Sequence, residues 1–336
     1  MSLWAQENLH AWLVVPYDAR RRGPEERAAL LRKLGFQRFA YDGRGRDLAT
    51  FDAEIRALKA HGVEPLAWWF GDADASDPFV RESLKLFARH DVRPRLWVMQ
   101  SVTTLVSEVP VLLPDGVSLP LTEEQEEALP DDVRARLYDV FARWRAEELT
   151  STPEEQGARV RQTADRIEGL VKLAAGYGCG VDLYNHNGWF GMLDNQLAII
   201  EELGARGVTG VGIAYNFNHV RDELHDDTVD FPALWSRIQQ HVTAVNVSGT
   251  YWERTIVYPS QGDCELAMLG TIERSGWRGP IGLIAEQGGD AEATLSNAQR
   301  GLQWLATELR QPGSGGPRPF PERPRTVNHM SGRDTT

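Results

Sequence analysis

The chain has 336 residues, with 36 Lys and Arg against 48 Asp and Glu and a formal charge of −12 at neutral pH. That balance argues against a surface built to replace phosphate counterions, so neither nucleic acid nor an anionic membrane is an expected partner. The apolar share of 42% is ample for a large core, and two cysteines, Cys179 and Cys264, are too few for a disulfide framework and fit a reducing, cytoplasmic setting.

The opening MSLWAQENLH carries neither a basic n-region nor a small-residue cleavage site, and no run of about 18 apolar residues follows anywhere. The first strand-like run is Trp12-Leu-Val-Val-Pro16, and Gly23-Pro24-Glu25-Glu26 opens a helix that stops at Gly35. Proline suits the first helical position, and the two glutamates suit the helix dipole. Residues 36–41 read as a strand and 50–61 as a helix closed by Gly62; 64–70 is strand-like, Asp77-Pro78 opens a third helix, and 95–99 is the fourth strand.

Residues 103–151 break the rhythm with Pro110, Pro114, Asp115-Gly116, Pro120 and an amphipathic helix near 131–149. This insertion reads either as a lid over the site or as a peripheral or oligomer-contact flap. The alternation then resumes. Thr152-Pro-Glu-Glu155 is a capping box opening a helix to about Tyr177, and strands near 181–184, 208–215, 242–247 and 281–285 alternate with helices near 193–203, 229–240, 264–274 and 290–309. From Gln311 the tail, 311–336, is rich in Pro, Gly and charge, and disorder is expected there.

Eight strand–helix units with apolar strands imply an α/β fold: a (β/α)8 TIM barrel over residues 8–310, with an insertion after strand four. An open doubly wound sheet is the alternative. It would want a phosphate-binding glycine fingerprint after the first strand, and neither that motif nor a P-loop is present, so no nucleotide cofactor is expected.

In such a barrel the strand C-termini build the active site. The polar residues there include Tyr17 and Asp18, Asp42 and Arg44, Trp68 and Trp69, Gln100, Tyr184-Asn185-His186 with Trp189, Asn216 with His219, Asn246 and Ser248, and Glu286. Amides that donate and accept, together with aromatic faces, suit a neutral polyol, so the expected partner is a small-molecule carbohydrate. Asp42, Arg44, Trp68, Tyr184, Asn185, Trp189, Asn216 and Asn246 are the expected binding residues, and His186, His219 and Glu286 the expected catalytic ones. Only one of the neighbours Trp68 and Trp69 can face inward. His61, His90 and His241 fall on the opposite, stability face, and His225 sits in a solvated charged stretch.

The segment Val181-Asp-Leu-Tyr-Asn-His-Asn-Gly-Trp-Phe-Gly191, followed by Gly212-Ile-Ala-Tyr-Asn-Phe-Asn-His219, Gln261-Gly-Asp263 and Gly276-Trp-Arg-Gly-Pro-Ile281, resembles the xylose isomerase-like TIM barrels, the sugar phosphate isomerase and epimerase type. The resemblance implies a divalent metal held by Glu, Asp, His and Glu from strands five to eight, the two Glu also moving a proton between adjacent carbons. The matching positions here are Tyr184, Asn216, Asn246 and Ile284, with Glu286 one inward step beyond. A hard cation wants charged oxygen, so an inherited tight Mg²⁺ or Mn²⁺ site is doubtful. His186, His219 and Glu286, if they converge, have the softness for Zn²⁺, Ni²⁺ or Co²⁺.

The resulting expectation is a sugar isomerase or epimerase, or a related lyase, that transfers a proton beside a carbonyl of a sugar or keto-sugar with a degenerate metal site. The alternative is a carbohydrate-binding or regulatory barrel without catalysis. Some barrels of this type cut abasic DNA, but the charge and the missing ligand cluster argue against that here. Homo-oligomerisation is expected only by analogy with the fold.

Overall fold

The computed structural model describes residues 2–43, 46–100, 109–114, 125, 128–149, 152–186, 188–219, 230–250, 256–262, 264–286 and 289–320. Eight parallel strands close into a barrel: β1 (Leu9–Trp12), β2 (Arg38–Tyr41), β3 (Glu64–Asp72), β4 (Arg95–Met99), β5 (Val181–Tyr184), β6 (Val211–Asn216), β7 (Val242–Val247) and β10 (Ile281–Ile284). A two-residue antiparallel pair, β8 (Gly249–Thr250) and β9 (Ile256–Val257), sits in the connection after β7. The ring closes where β1 pairs with β10, from Leu9 opposite Ile281 to Trp12 opposite Ile284. The expected (β/α)8 barrel is therefore the fold.

The helices are α1 (Pro24–Lys33), α2 (Leu48–Ala60), α3 (Pro78–Arg89), α4 (Val109–Leu112), α5 (Asp131–Leu149), α6 (Pro153–Ala175), α7 (Leu193–Ala205), α8 (Phe231–Ile238), α9 (Glu265–Arg274) and α10 (Ala291–Arg310). Their starts follow local chemistry. Thr152 Oγ1 accepts from the Glu155 amide at 3.2 Å while the Thr152 amide donates to Glu155 Oε2 at 2.7 Å, so two orphan donors of α6 are satisfied reciprocally. Asp290 accepts from the Glu292 amide at 3.0 Å to open α10.

Most of the core lies between the strands and the helices, where Phe36, Phe51, Trp68, Phe87, Ile167, Leu183 and Leu305 are wholly covered. A second, smaller cluster of Trp12, Leu13, Ala40, Ala67, Trp97, Tyr184, Ala214, Ala244 and Ile284 fills the barrel itself. Alanines on four strands leave room for the large rings of the others, as a tapering barrel requires.

Two expectations need correction, at the first strand and in the tail, and the insertion takes definite form between them. The first strand ends at Trp12 rather than starting there, because Leu13 turns into the left-handed region at φ 57° and carries the chain out of the sheet. The insertion forms α4 and α5 with its own apolar cluster of Leu129, Leu137 and Val140, separate from the barrel core; residues 101–108, 115–124, 126–127 and 150–151 lie outside the described residues. The tail was expected to be disordered from 311, yet residues 311–320 fold back on α10. The amides of Gly313 and Gly315 donate to Glu308 at 2.8 and 2.6 Å, and Phe320 packs on Tyr258 with its ring beneath Arg300. Residues 321–336 lie outside the described residues. Among the described residues no helix is long and apolar enough to cross a membrane.

Candidate active site at the barrel mouth

The site rests on a polar layer inside the barrel. Asp182 on β5 takes bonds from Arg95 Nε at 2.8 and 2.7 Å and from Trp97 Nε1 at 3.1 Å. His10 Nε2 lies 3.0 Å from Asn246 Oδ1, both side chains fully buried. Glycine makes this layer possible: a Cβ on Gly282 would lie 2.1 Å from Asn246 Oδ1, and one on Gly212 would lie 2.4 Å from Asp182 Oδ1. Burial lowers the His10 pKa to about 3, with the Asn246 bond opposing and the Arg38 charge adding, so this imidazole is neutral.

Above it lies an aromatic layer centred on Tyr184. The Tyr184 ring contacts Trp69 at 4.8 Å, Trp97 at 5.7 Å and Trp12 at 5.8 Å between centroids. Its hydroxyl oxygen accepts from Trp12 Nε1 at 2.9 Å and from Asn216 Nδ2 at 2.5 Å. Burial, and then the negative charges of Glu286 and Asp42, push the phenol pKa far up, against the pull of the two N–H bonds.

The opening itself gathers the titratable side chains. His186 and His219 lie 4.4 Å apart, tilted by 41°, beside Tyr184 at 6.5 and 5.8 Å; Trp69 is 6.3 Å from His186. On the opposite arc of the ring, Tyr17 Oη donates to Glu286 Oε1 at 2.7 Å. A buried clamp positions that pair. Asp18 accepts from Arg22 Nη1 at 2.7 Å, from the Arg22 amide at 3.1 Å and from the Ala291 amide at 3.2 Å, and Arg22 Nη2 reaches Asp290 at 2.6 Å. Burial opposes ionisation of Asp18, but these donors outweigh it and hold the carboxyl below its usual range. The loop after β1 is thereby tied to the loop after β10.

Of the expected residues, His186 and His219 lie together beside Tyr184, and the charges of Glu286 and of the buried Asp42 bear on its phenol. Others are placed elsewhere. Trp68 points away from the barrel into the helices, its ring 4.2 Å from Tyr41 and edge-to-face with Phe51 at 4.8 Å between centroids; its neighbour Trp69 faces the mouth instead. Trp189 is in the outer core, its Nε1 donating to Gln156 at 2.6 Å. Asn185 stitches two strand ends, its side chain bonding the Asn216 carbonyl at 3.1 Å and the Asn216 amide at 2.6 Å. Asn246 lies below the mouth with His10. Arg44 and Asp263 lie outside the described residues.

Trp12 is a site residue that the sequence reading does not single out, and Tyr17, named there only among the polar residues of the strand ends, is the partner of Glu286. Their signal is position: Trp12 is the last, inward residue of β1, and Tyr17 lies in the loop beyond it.

No known sequence family matches the chain, and no curated protein matches it. Solved structures do. 3-Keto-D-glucoside 4-epimerase YcjR from E. coli is similar with a TM-score of 0.56 and 14% identity, over 90% of this chain and 99% of that one. The IolI protein with a bound zinc atom has a TM-score of 0.59 and 11% identity, over 90% and 98%. A xylose isomerase-like TIM barrel protein from Mycobacterium smegmatis in complex with magnesium has a TM-score of 0.50 and 12% identity, over 85% and 89%. At these identities the likeness is one of fold, the closed (β/α)8 barrel.

The residues present do not fit the metal that the sequence resemblance implies. At the four ligand positions, Ile284 offers no donor, Asn216 Oδ1 is taken by the Asn218 amide at 2.9 Å, Asn246 Oδ1 by His10, and the Tyr184 oxygen by two N–H groups. Among the described residues no three His, Cys, Asp or Glu side chains gather as a metal-holding group, and His186, His219 and Glu286, whose softness would suit Zn²⁺ if they converged, are not such a group.

Proposed function

We propose that the chain is a sugar-modifying enzyme of the isomerase or epimerase class, moving a proton at the carbon beside the carbonyl of a keto-sugar. The observation that supports this reading is the placing of His186 and His219 beside Tyr184 and Trp69, with the Glu286 charge bearing on the phenol. Trp69 offers a ring face for sugar C–H groups. Glu286, oriented by Tyr17, is the base, and imidazole and phenol groups supply protons to oxygen. The YcjR likeness adds support, since that protein's name specifies a keto-sugar. A ketone acidifies its neighbouring C–H, which reduces the electrophilic help that the site must provide.

The test is solvent exchange. Purified protein is incubated in D₂O with ketohexoses and 3-keto-glucosides, with and without added divalent metals, and deuterium uptake into the sugar is read by mass spectrometry. Uptake that Glu286→Gln and His186→Ala abolish is expected. No uptake from any keto-sugar under either condition refutes the reading.

The engagement of Asn216 and Asn246 inside the barrel favours a second reading, a carbohydrate-binding barrel without turnover. It predicts sugar-dependent thermal stabilisation with no exchange.

A further inference from the structure

The Tyr184 hydroxyl is bonded in a way that fixes what its proton can do. Trp12 Nε1 can only donate. The Asn216 amide is oriented by its other bond: Oδ1 accepts from the Asn218 backbone amide at 2.9 Å, so Nδ2 is the atom facing Tyr184. Both groups therefore donate to the same phenol oxygen, at 2.9 and 2.5 Å. A phenol oxygen has two acceptor sites and one proton. The acceptor sites are filled, and among the described residues nothing accepts the proton. An unspent donor on a side chain only 2% exposed is rare in a folded core.

We propose that Tyr184 is the proton donor to the carbonyl oxygen of the bound keto-sugar, with Trp12 and Asn216 as its positioning residues. The inference rests on the function proposed above and assigns its electrophile. The Glu286 carboxylate takes the proton from the carbon beside the carbonyl. The C–H electron pair becomes the new C=C bond, the carbonyl π pair moves onto oxygen, and that oxygen takes the Tyr184 proton. Glu286 has then gained one proton and Tyr184 has lost one, so the charge of the site is unchanged. Return of a proton from Glu286 to carbon, with reprotonation of the phenolate, completes the cycle.

The surroundings support each state in turn. Asp42, Glu286, His186 and His219 are the titratable groups around the phenol. Before reaction, burial and the two carboxylate charges hold Tyr184 protonated, which is the form that can donate. Protonation of Glu286 then removes one of the charges opposing the phenolate. The two N–H bonds strengthen onto the oxygen as its charge develops, in the manner of an oxyanion hole turned on a side chain. Tyr184 is only 2% exposed, so bulk water competes little with these bonds.

The test uses the full chain in the D₂O exchange assay, with wild type, Tyr184→Phe, and protein carrying 3-fluorotyrosine at position 184. Fluorination acidifies the phenol without removing it. Tyr184→Phe is expected to slow exchange by roughly 10²–10⁴-fold, the usual worth of a positioned acid. The fluorinated protein, whose phenol is the stronger acid, is expected to exchange at pH 7 at a rate different from wild type, because transfer of the phenol proton responds to its acidity. A folded Tyr184→Phe that exchanges at the wild-type rate overturns the assignment and leaves the proposed function standing. If Tyr184→Phe fails to fold because Trp12 and Asn216 are left unpaired, the fluorinated protein decides, and an exchange rate at pH 7 equal to that of wild type overturns the assignment. Absence of exchange in wild type overturns both readings together.

Discussion

Acid should weaken this barrel from the inside, and His10 is the group to watch. The imidazole is wholly buried beneath the mouth, bonded to Asn246 Oδ1 at 3.0 Å. Burial first, and the Arg38 charge to a lesser degree, lower its pKa from 6.5 to about 3, although the Asn246 bond opposes them. In the unfolded chain His10 takes a proton near pH 6.5; in the folded barrel it refuses one until about pH 3. Its contribution to stability is therefore complete above pH 6.5 and is lost progressively as pH falls toward 3. A drop of about 3.5 units at about 1.4 kcal/mol each amounts to about 5 kcal/mol over the whole window. The assay is urea unfolding of wild type and His10→Gln at pH 7, 6, 5 and 4. Other groups titrate too, so the difference between the two proteins carries the information. Wild type should lose stability relative to the variant by about 1.4 kcal/mol for each pH unit below 6. A difference that stays constant across this range, or grows in favour of wild type on acidification, refutes the reasoning.

Further predictions concern the packing around the same site. Gly282→Ala places a methyl group 2.1 Å from Asn246 Oδ1 and 2.5 Å from His10 Nε2, so it should cost about 2 to 4 kcal/mol in urea unfolding through overpacking and a broken buried bond. Trp68→Ala should cost about 3 to 5 kcal/mol of stability with little change in sugar affinity per folded molecule, whereas Trp69→Ala should weaken binding of a ketohexose, read by calorimetric titration, with a smaller stability loss. Asp18→Asn leaves the buried Arg22 guanidinium with Asp290 as its remaining acidic partner, so a loss of about 3 kcal/mol is expected in urea unfolding, together with slower exchange as Tyr17 and Glu286 lose their register.

Much of the barrel was legible because its signals are local. The capping box at Thr152, the proline at Pro24 and the alternation of apolar runs with helical spacing each act within a few residues, and the elements they mark are present. The first strand was misplaced because Trp12-Leu-Val-Val-Pro16 is apolar throughout, and composition does not reveal that Leu13 adopts a left-handed turn. The candidate site was legible in its titratable members, since strand order and length carry His186, His219 and Glu286 to one end of the barrel. The amides were not. Asn185, Asn216 and Asn246 are at strand ends as expected, but their atoms are used by neighbouring strands and by His10, partners distant in sequence. Trp68 and Trp69 illustrate the same limit: alternation says that only one faces in, while the phase is set where Pro65 pairs with Phe39 and the next pair skips to Ala67 with Ala40.

The most direct measurement is a crystal structure of the protein with a non-turning-over keto-sugar analogue at the barrel mouth. The account predicts the sugar ring against Trp69, its carbonyl oxygen within hydrogen-bond reach of Tyr184 Oη, and the adjacent carbon facing Glu286. A ligand seated on another face, or one in the mouth whose carbonyl is turned away from Tyr184 and Glu286, contradicts it.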